Sequence, residues 1–334
     1  MQIAISRRAV IATGLAAGTL AAPALARHGW TQRLRPEDKA ARIVVPFAAG
    51  GTTDLVARVV AEILSQATGW SFATENRTGG NGNVSAELVA RAAPDGRTLL
   101  LGHIGTGVTN QYVNKYLSYD SLASFAPVAM VGELPNVLVV HPVLHCRSVA
   151  ELVEYSQSQR RCRLSYGSPA MGSMGHLAME YLKGLAGMQL AHVAYRGRSR
   201  LIKDLLAGDV PVAMDNLPAY LPHIRSGALR ALAVSSAGRW FAAPDIPTVT
   251  EYGRGDFNAT IWWYVAAPAG TRRSLVRAMS DAIVTGLACE PMVGRMRSIG
   301  VRETPRCAEE LVEYMSAEQM KWKKVFTAAR IEAQ

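Results

Sequence analysis

The stretch "IVVPFAAGGTTDLVARVVAEIL", Ile43 to Leu64, decides the fold. Ile43, Val44 and Val45 form a short β-branched apolar run, the mark of a strand covered on both faces. Gly50 and Gly51 follow and let backbone N–H groups turn toward one point. Thr52, Thr53 and Asp54 offer capping side chains to a helix in which Leu55, Val59 and Ile63 recur at helical spacing. A helix N-terminus with free N–H groups attracts an anion, and a carboxylate suits it as well as a phosphate. A nucleotide loop would end in Gly-Lys-Ser/Thr and a dinucleotide loop would read G-x-G-x-x-G; neither is present. Taken alone, the stretch leaves two readings open, an anion site or an ordinary glycine-rich connection.

Upstream, Ser6-Arg7-Arg8 precedes an uncharged, alanine-rich run from Ala9 to Ala26 that ends in an A-x-A cleavage site, Ala24-Leu25-Ala26. With Thr13, Gly14 and Gly18 inside it, the run is too short and too mildly apolar to span a bilayer. Residues 1–26 therefore read as an export signal cleaved near Ala26, and the protein is expected in the periplasm. The arginine pair suggests the twin-arginine route, with a general secretory signal as the alternative. An N-terminal segment, 27–41, leads to the first strand, and no later run is apolar for long enough to cross a membrane. About 300 residues remain, enough for two ordinary domains. Removing Arg7 and Arg8 leaves 34 basic residues against 26 acidic, a net charge of about +8. The arginines are scattered, without an aromatic-interleaved basic stripe, so no nucleic-acid partner is expected. A positive field favours an anionic small molecule or an acidic surface.

Downstream, "SFATEN" reads as a second strand, "RTGGNGN" as a loop, and Val84 to Ala92 as a helix. "DGRTLLLG" is a turn and third strand before another small polar loop, "HIGTGVTN". Strand, loop and helix thus alternate from the start, which predicts a parallel sheet with its loops gathered at the strands' C-terminal edge. "APVAMVG" and "NVLVVHP" are further strands. A second alternating unit follows, with strands at "RLSYG", "LAHVAY", "VPVAMD" and "LRALAVS" and helices at 148–157, 176–185, 199–207 and 218–225. "ATIWWYVAAPAG" reads as a strand leading back, and helices follow at 272–288, 290–299 and 308–330. In the last of them Leu311, Met315, Trp322, Val325 and Phe326 form an apolar stripe. The expected architecture is α/β: a two-lobed clamshell, lobe 1 at 42–135 plus 263–334 and lobe 2 at 136–262, joined by two crossings. Ligands in such folds lie between the lobes.

Several of these blocks occur together in a known order. "IVVPFAAGGTTDLVAR", "ENRTGGNGNVSAELVARAAPDGRTLLLG", "FAPVAMVGELPNVLVVHP", "LSYGSPAMGSMGHLAMEYL", "VAYRG", "AMDNLPAYLPHIRSGALRALAVSS" and "PDIPTVTEYG" resemble the tripartite tricarboxylate transporter substrate-binding family, often called Bug receptors. The likeness runs from about Arg42 to Trp322. It implies a periplasmic type II solute-binding fold that closes around a small organic acid and serves a permease of the tripartite tricarboxylate type. In that family the first loop presents backbone N–H groups to the ligand. The residues carried over from it are Phe47, Ala48, Gly50, Gly51, Thr52 and Asp54. From the third loop come Thr106 and Asn110, although Gly107 stands where the family has a histidine, and His103 where it has a small hydroxyl residue. From the second lobe come Ser168, Ser173, Tyr195, Gly197 and Asp215. Pro169-Ala170-Met171 and Met174 replace smaller or more polar residues, which would select a bulkier or less polar acid if they face the cleft.

Other candidates have two readings each. "HPVLHC" has metal-like residue types but includes a proline after a strand, so a surface turn is the simpler reading. His176 opens a helix and can bond the loop before it or a ligand. Asp215 either faces the cleft or caps the helix near Pro218. Trp262-Trp263 is expected to pack at the hinge, because a strand places neighbouring side chains on opposite faces. Of the local cysteine pairs, Cys289–Cys307 is the expected disulfide and Cys146–Cys162 the lesser candidate. A secreted hydrolase of a small ester or amide is the rival class, but G-x-S-x-G is absent and no triad order appears. A monomeric binding protein without catalytic residues, metal or cofactor is therefore expected. If the arginine pair is the export address, Arg7→Lys/Arg8→Lys abolishes periplasmic delivery in a fractionation assay. Undiminished delivery would assign the general secretory path.

Overall fold

The computed structural model describes residues 40–158, 164–253, 255–331 and 333. The expected export signal at 1–26, nearly all of the 27–41 segment and Cys162 lie outside the described residues. Ile43, Val44 and Val45 sit in strand β1 (Ala40–Val45) with no exposed surface, as a doubly covered strand requires. β1 pairs in parallel with β2 (Ser71–Asn76) and β3 (Thr98–His103), and α1 (Thr52–Thr68) packs against both β1 and β2. The remaining strands of this sheet, β4 (Phe125–Leu134), β10 (Ile261–Pro268) and β11 (Arg302–Arg306), run antiparallel to their neighbours, in the order β11-β4-β10-β3-β1-β2.

The second sheet has the order β7-β6-β8-β5-β9, built from β5 (Asn136–Val140), β6 (Leu164–Ser168), β7 (Leu190–Ala194), β8 (Val212–Asn216) and β9 (Arg230–Val234). Its helices are α4 (Val149–Ser158), α5 (Met174–Ala186), α6 (Arg198–Ala207) and α7 (Leu217–Arg225). The chain passes between sheets at Pro135 and again before Ile261, and Leu134 and Ile261 are paired neighbours. Buried polar groups tie the two crossings together. Ser235 Oγ accepts from Asn136 N at 2.8 Å and donates to Ala259 O at 2.9 Å, and Asn136 Nδ2 donates to Ala259 O at 3.1 Å.

The C-terminal helix α10 (Ala308–Ala329) touches both halves. Its stripe of Leu311, Met315, Trp322, Val325 and Phe326 is buried in one continuous core with Val44 and Leu100 of the first sheet and Leu138 and Met214 of the second. Within that core Glu318, itself buried, accepts from the Trp322 and Trp262 indoles at 2.9 and 3.2 Å and pairs with Lys321, whose Nζ also reaches Asn258 O. A buried carboxylate is tolerated here because its partners supply the charge and hydrogen bonds that water would give.

Two sequence expectations are corrected. Cys289 and Cys307 are free thiols, not a disulfide, because each starts a separate helix. Cys289 is the N-cap of α9 (Glu290–Ser298), and Cys307 heads α10 in a capping box with Glu310. Cys146 is also free and buried. The polar edge strand β11 has no apolar period and was not foreseen. It is held by pairing with β4 and by Arg302 stacked 4.1 Å over the Trp240 ring.

If α10 couples the two sheets, Trp322→Ala lowers unfolding free energy in urea by about 3–5 kcal/mol, whereas Met320→Ala, at an exposed position two residues away, changes it by about 0.5 kcal/mol or less. Equal midpoints for the two variants would show that α10 is peripheral.

Candidate functional site

A cleft of ≈ 720 Å³ opens where the loops of the two sheets meet. Its first-sheet wall begins with the loop after β1. Gly50 takes the left-handed conformation, φ +80°, that favours glycine, while Gly51 is extended at φ −75° and tolerates a side chain there. Gly51 is the N-cap of α1 and no side chain caps the helix. The Asp54 carboxylate instead turns inward, accepting from Gly50 N at 3.0 Å, Arg58 Nε at 2.9 Å and Asn76 Nδ2 at 3.0 Å. Burial alone would raise this carboxyl, but the bonds from Gly50, Arg58 and Asn76 hold it below its ordinary value. The first-turn N–H groups of α1 are therefore left without an internal acceptor at the cleft wall.

The loops after β2 and β3 complete that wall and lock one another. Asn110 accepts from Asn81 Nδ2 at 2.8 Å and donates to Asn81 O at 3.0 Å and Asn83 Oδ1 at 2.6 Å. Thr106 Oγ1 accepts from His103 N and lies 3.3 Å from the Tyr264 hydroxyl. Both residues stand behind the surface, while Asn81, His103, Ile104, Gly105 and Thr109 form it. His103 Nδ1 accepts from Gly105 N at 2.7 Å, and Nε2 faces the Asn81–Gly82 turn without a hydrogen-bond partner. Burial pushes this imidazole down to about 4, so it is neutral at neutral pH. Its ring lies 5.0 Å from that of Phe47, which is partly exposed at the cleft. Gly107 faces Tyr264 and Met315 rather than the cleft.

The second-sheet wall is the loop 169–173, the start of α5 and the end of β8. Gly175 lets α5 approach β8 so closely that a Cβ would lie 2.0 Å from Met214 O. Ser173 caps α5 through His176 N. Ser168 O accepts from Tyr195 N and Pro169 O from Gly197 N, each at 3.0 Å, so Ser168, Tyr195 and Gly197 brace the loop from behind. His176 Nδ1 accepts from Gly172 N at 3.1 Å, and its ring stacks on His192 at 3.9 Å. Burial lowers His176 to about 4; burial and the neighbouring His176 lower His192 to about 3. Ser168 Oγ lies 2.7 Å from His192 Nε2, but it is wholly buried and its hydroxyl serves Ala170 O at 3.0 Å, away from any substrate path.

Of the residues expected to bind, Phe47, Ala48, Gly50, Gly51, Thr52, Ser173 and Asp215 line the cleft. Asp54, Thr106, Asn110, Ser168, Tyr195 and Gly197 do not; they hold the lining loops. Asp215 does not cap a helix with its carboxylate, which is bound by Arg198, a cleft residue that no sequence motif marks. Trp263 also lines the cleft, its indole donating to Thr53 Oγ1 at 3.0 Å, while Trp262 points to the opposite face. Pro169, Ala170 and Met174 face the cleft; Met171 is exposed beside it. "HPVLHC" is a turn in which His141 Nδ1 accepts from Val143 N.

The model of the tripartite tricarboxylate transporter family receptor matches residues 56–331. Protein BugT of Bordetella pertussis is 32% identical over 318 residues, covering 94% of each chain. Among solved structures, R. palustris Rpa4515 with adipate is 36% identical with a TM-score of 0.77, covering 88% of this chain and 98% of that one. The periplasmic binding protein BugD is 31% identical with a TM-score of 0.73, covering 88% and 99%.

The depressed histidines give a signed pH dependence. Above their ordinary value of 6.5 the imidazoles are neutral whether folded or not. As pH falls below it, the unfolded chain takes up protons that folded His103 and His176 refuse until about 4, so stability falls through that window. The slope of unfolding free energy against pH is accordingly shallower in His103→Gln. An unchanged slope would mean that His103 titrates alike in both states.

Proposed function

The chain belongs to the tripartite tricarboxylate transporter receptor family, and from that premise we propose that it is an exported receptor that closes around a small carboxylate. The bound acid is then handed to a permease of the tripartite tricarboxylate type or to a signalling partner. It is a solute-binding protein and not an enzyme. One observation supports the carboxylate reading most directly: the first turn of α1, uncapped by any side chain, borders the cleft. Oriented N–H groups and the helix dipole together favour an anion there. The adipate in Rpa4515, 36% identical, has the matching chemistry. Closure would bring the two sheets' loops together about the paired crossings at Pro135 and Ile261, with lobe 1 at 42–135 plus 263–334 and lobe 2 at 136–262. Export through the 1–26 signal and action as a monomer complete the proposal.

Thermal-shift screening of the mature protein against mono-, di- and tricarboxylates tests the reading, since a ligand at 100 times its dissociation constant adds about 2.7 kcal/mol of stability. Gly50→Val then examines the loop. It strains a left-handed position and displaces the Gly50 N–H from Asp54. Carboxylate affinity by calorimetry should weaken about tenfold or more. Gly51→Ala, at an extended position whose new Cβ lies 3.4 Å from Ala48 O, should cost less. A folded Gly50→Val that binds as tightly as the parent would reduce this loop to a mere connection.

A further inference from the structure

We propose that Trp240 and the Gly300–Arg302 segment form a latch between the two lobes, outside the cleft, that sets how the lobes face each other before a ligand arrives. This rests on the reading of two lobes that close about paired crossings and adds a non-covalent tie beside them. The connection between β9 and β10, residues 235–260, is long for a compact domain, and among its described residues only Thr250–Tyr252 is helical. Its far part returns to the second sheet: Pro247 O accepts from Val234 N at 2.8 Å and Val234 O from Val249 N at 3.1 Å. The excursion before that return is braced within the same lobe, since Arg239 donates to Glu251 at 2.9 and 2.7 Å and to Pro244 O at 3.0 Å. Trp240 is thereby fixed on the second lobe, in a core with Val137, Leu217 and Tyr220.

The groups that clasp Trp240 belong to the first lobe. Its indole N–H donates to Gly300 O at 3.0 Å, and the side chain has no exposed surface. The Arg302 guanidinium lies 4.1 Å from the ring centroid, and its Nη2 donates to Arg239 O at 3.1 Å. One arginine thus grips both the ring and the backbone that carries it. A Cβ on Gly300 would lie 2.7 Å from Pro218 Cγ at the start of α7, so the lobes are in close contact here. Parting them would uncover an aromatic face and break two hydrogen bonds. The same Cβ would lie 3.7 Å from Leu134 Cδ1, which places the latch beside the crossing at Pro135. None of Trp240, Gly300 and Arg302 lines the cleft. A tie next to the pivot leaves rotation about an axis through crossing and latch, and resists twisting or sliding of one lobe on the other. The latch therefore raises the share of molecules in which both cleft walls are aligned, and apparent affinity scales with that share.

Double electron–electron resonance across the cleft mouth tests the proposal without a ligand. Spin labels are carried by Val84→Cys and Met171→Cys, both exposed positions, in a Cys162→Ser/Cys289→Ser/Cys307→Ser background. The parent should give one narrow distance distribution. Trp240→Phe removes the indole N–H and keeps a ring, and Arg302→Met removes the cation; each should broaden the distribution, and the two together should broaden it further. Arg295→Gln, which breaks a pair with Glu62 inside the first lobe, should leave it unchanged. Calorimetry with adipate should show affinity falling about threefold or more in Trp240→Phe/Arg302→Met, with circular dichroism confirming the fold. An unchanged width in the double variant, equal broadening by Arg295→Gln, or adipate affinity kept despite broadening would each overturn the latch. If the parent binds no acid, the carboxylate reading fails, while the distance distributions still decide the latch.

Discussion

The structure turns on where one carboxylate points. At the start of α1 the N-cap is Gly51, which has no side chain to offer, and Asp54, the third helical residue, reaches back to Gly50 N and to Arg58 and Asn76. The left-handed Gly50 makes that geometry possible, and with glycine at the N-cap the first-turn N–H groups of α1 border the cleft uncapped. An internal cap would have satisfied the same groups and closed the site to anions. The hydrogen bonds that stabilise the loop thus leave the first-turn donors of α1 unused at the cleft wall.

The same division recurs elsewhere. Asn110 and Thr106 fix the shapes of the loops after β2 and β3, and Ser168, Tyr195 and Gly197 fix the loop after β6, all from buried positions. The cleft surface is left to other residues. Because α10 and the Glu318 network join the cores of both sheets at the rear, while the crossings lie side by side at Leu134 and Ile261, relative motion of the sheets has few covalent and packing routes. Conserving those routes is compatible with a change at the loops, where the packing between the sheets is sparse enough to leave a cavity of ≈ 720 Å³.

Much of this was legible in the sequence. β-branched runs, glycine-rich loops and apolar stripes gave the alternation, and the stripe of α10 is buried residue for residue. Periodicity reports burial of a face, so it succeeds where burial decides. It is silent on β11, whose five residues carry no apolar period and depend on partners distant in sequence. It cannot tell Gly50 from Gly51, because the sign of φ is set by the path of the loop. The helices read at 290–299 and 308–330 already put Cys289 and Cys307 at the heads of two helices, and sequence nearness alone favoured the pairing that this arrangement rules out.

Arg198 illustrates the deeper limit. In sequence it is one of several scattered arginines, and only the approach of β8 to the start of α6 sets it against Asp215. The recognisable blocks, by contrast, contain many residues that hold the loops from behind. That distribution has a physical cause: a loop's shape depends on a few short-range hydrogen bonds that tolerate little change, so its bracing residues form a motif. A resemblance therefore identifies the frame of the cleft, whereas lining positions such as Arg198, Met174 and Trp263 become visible as a set only when the two sheets face each other.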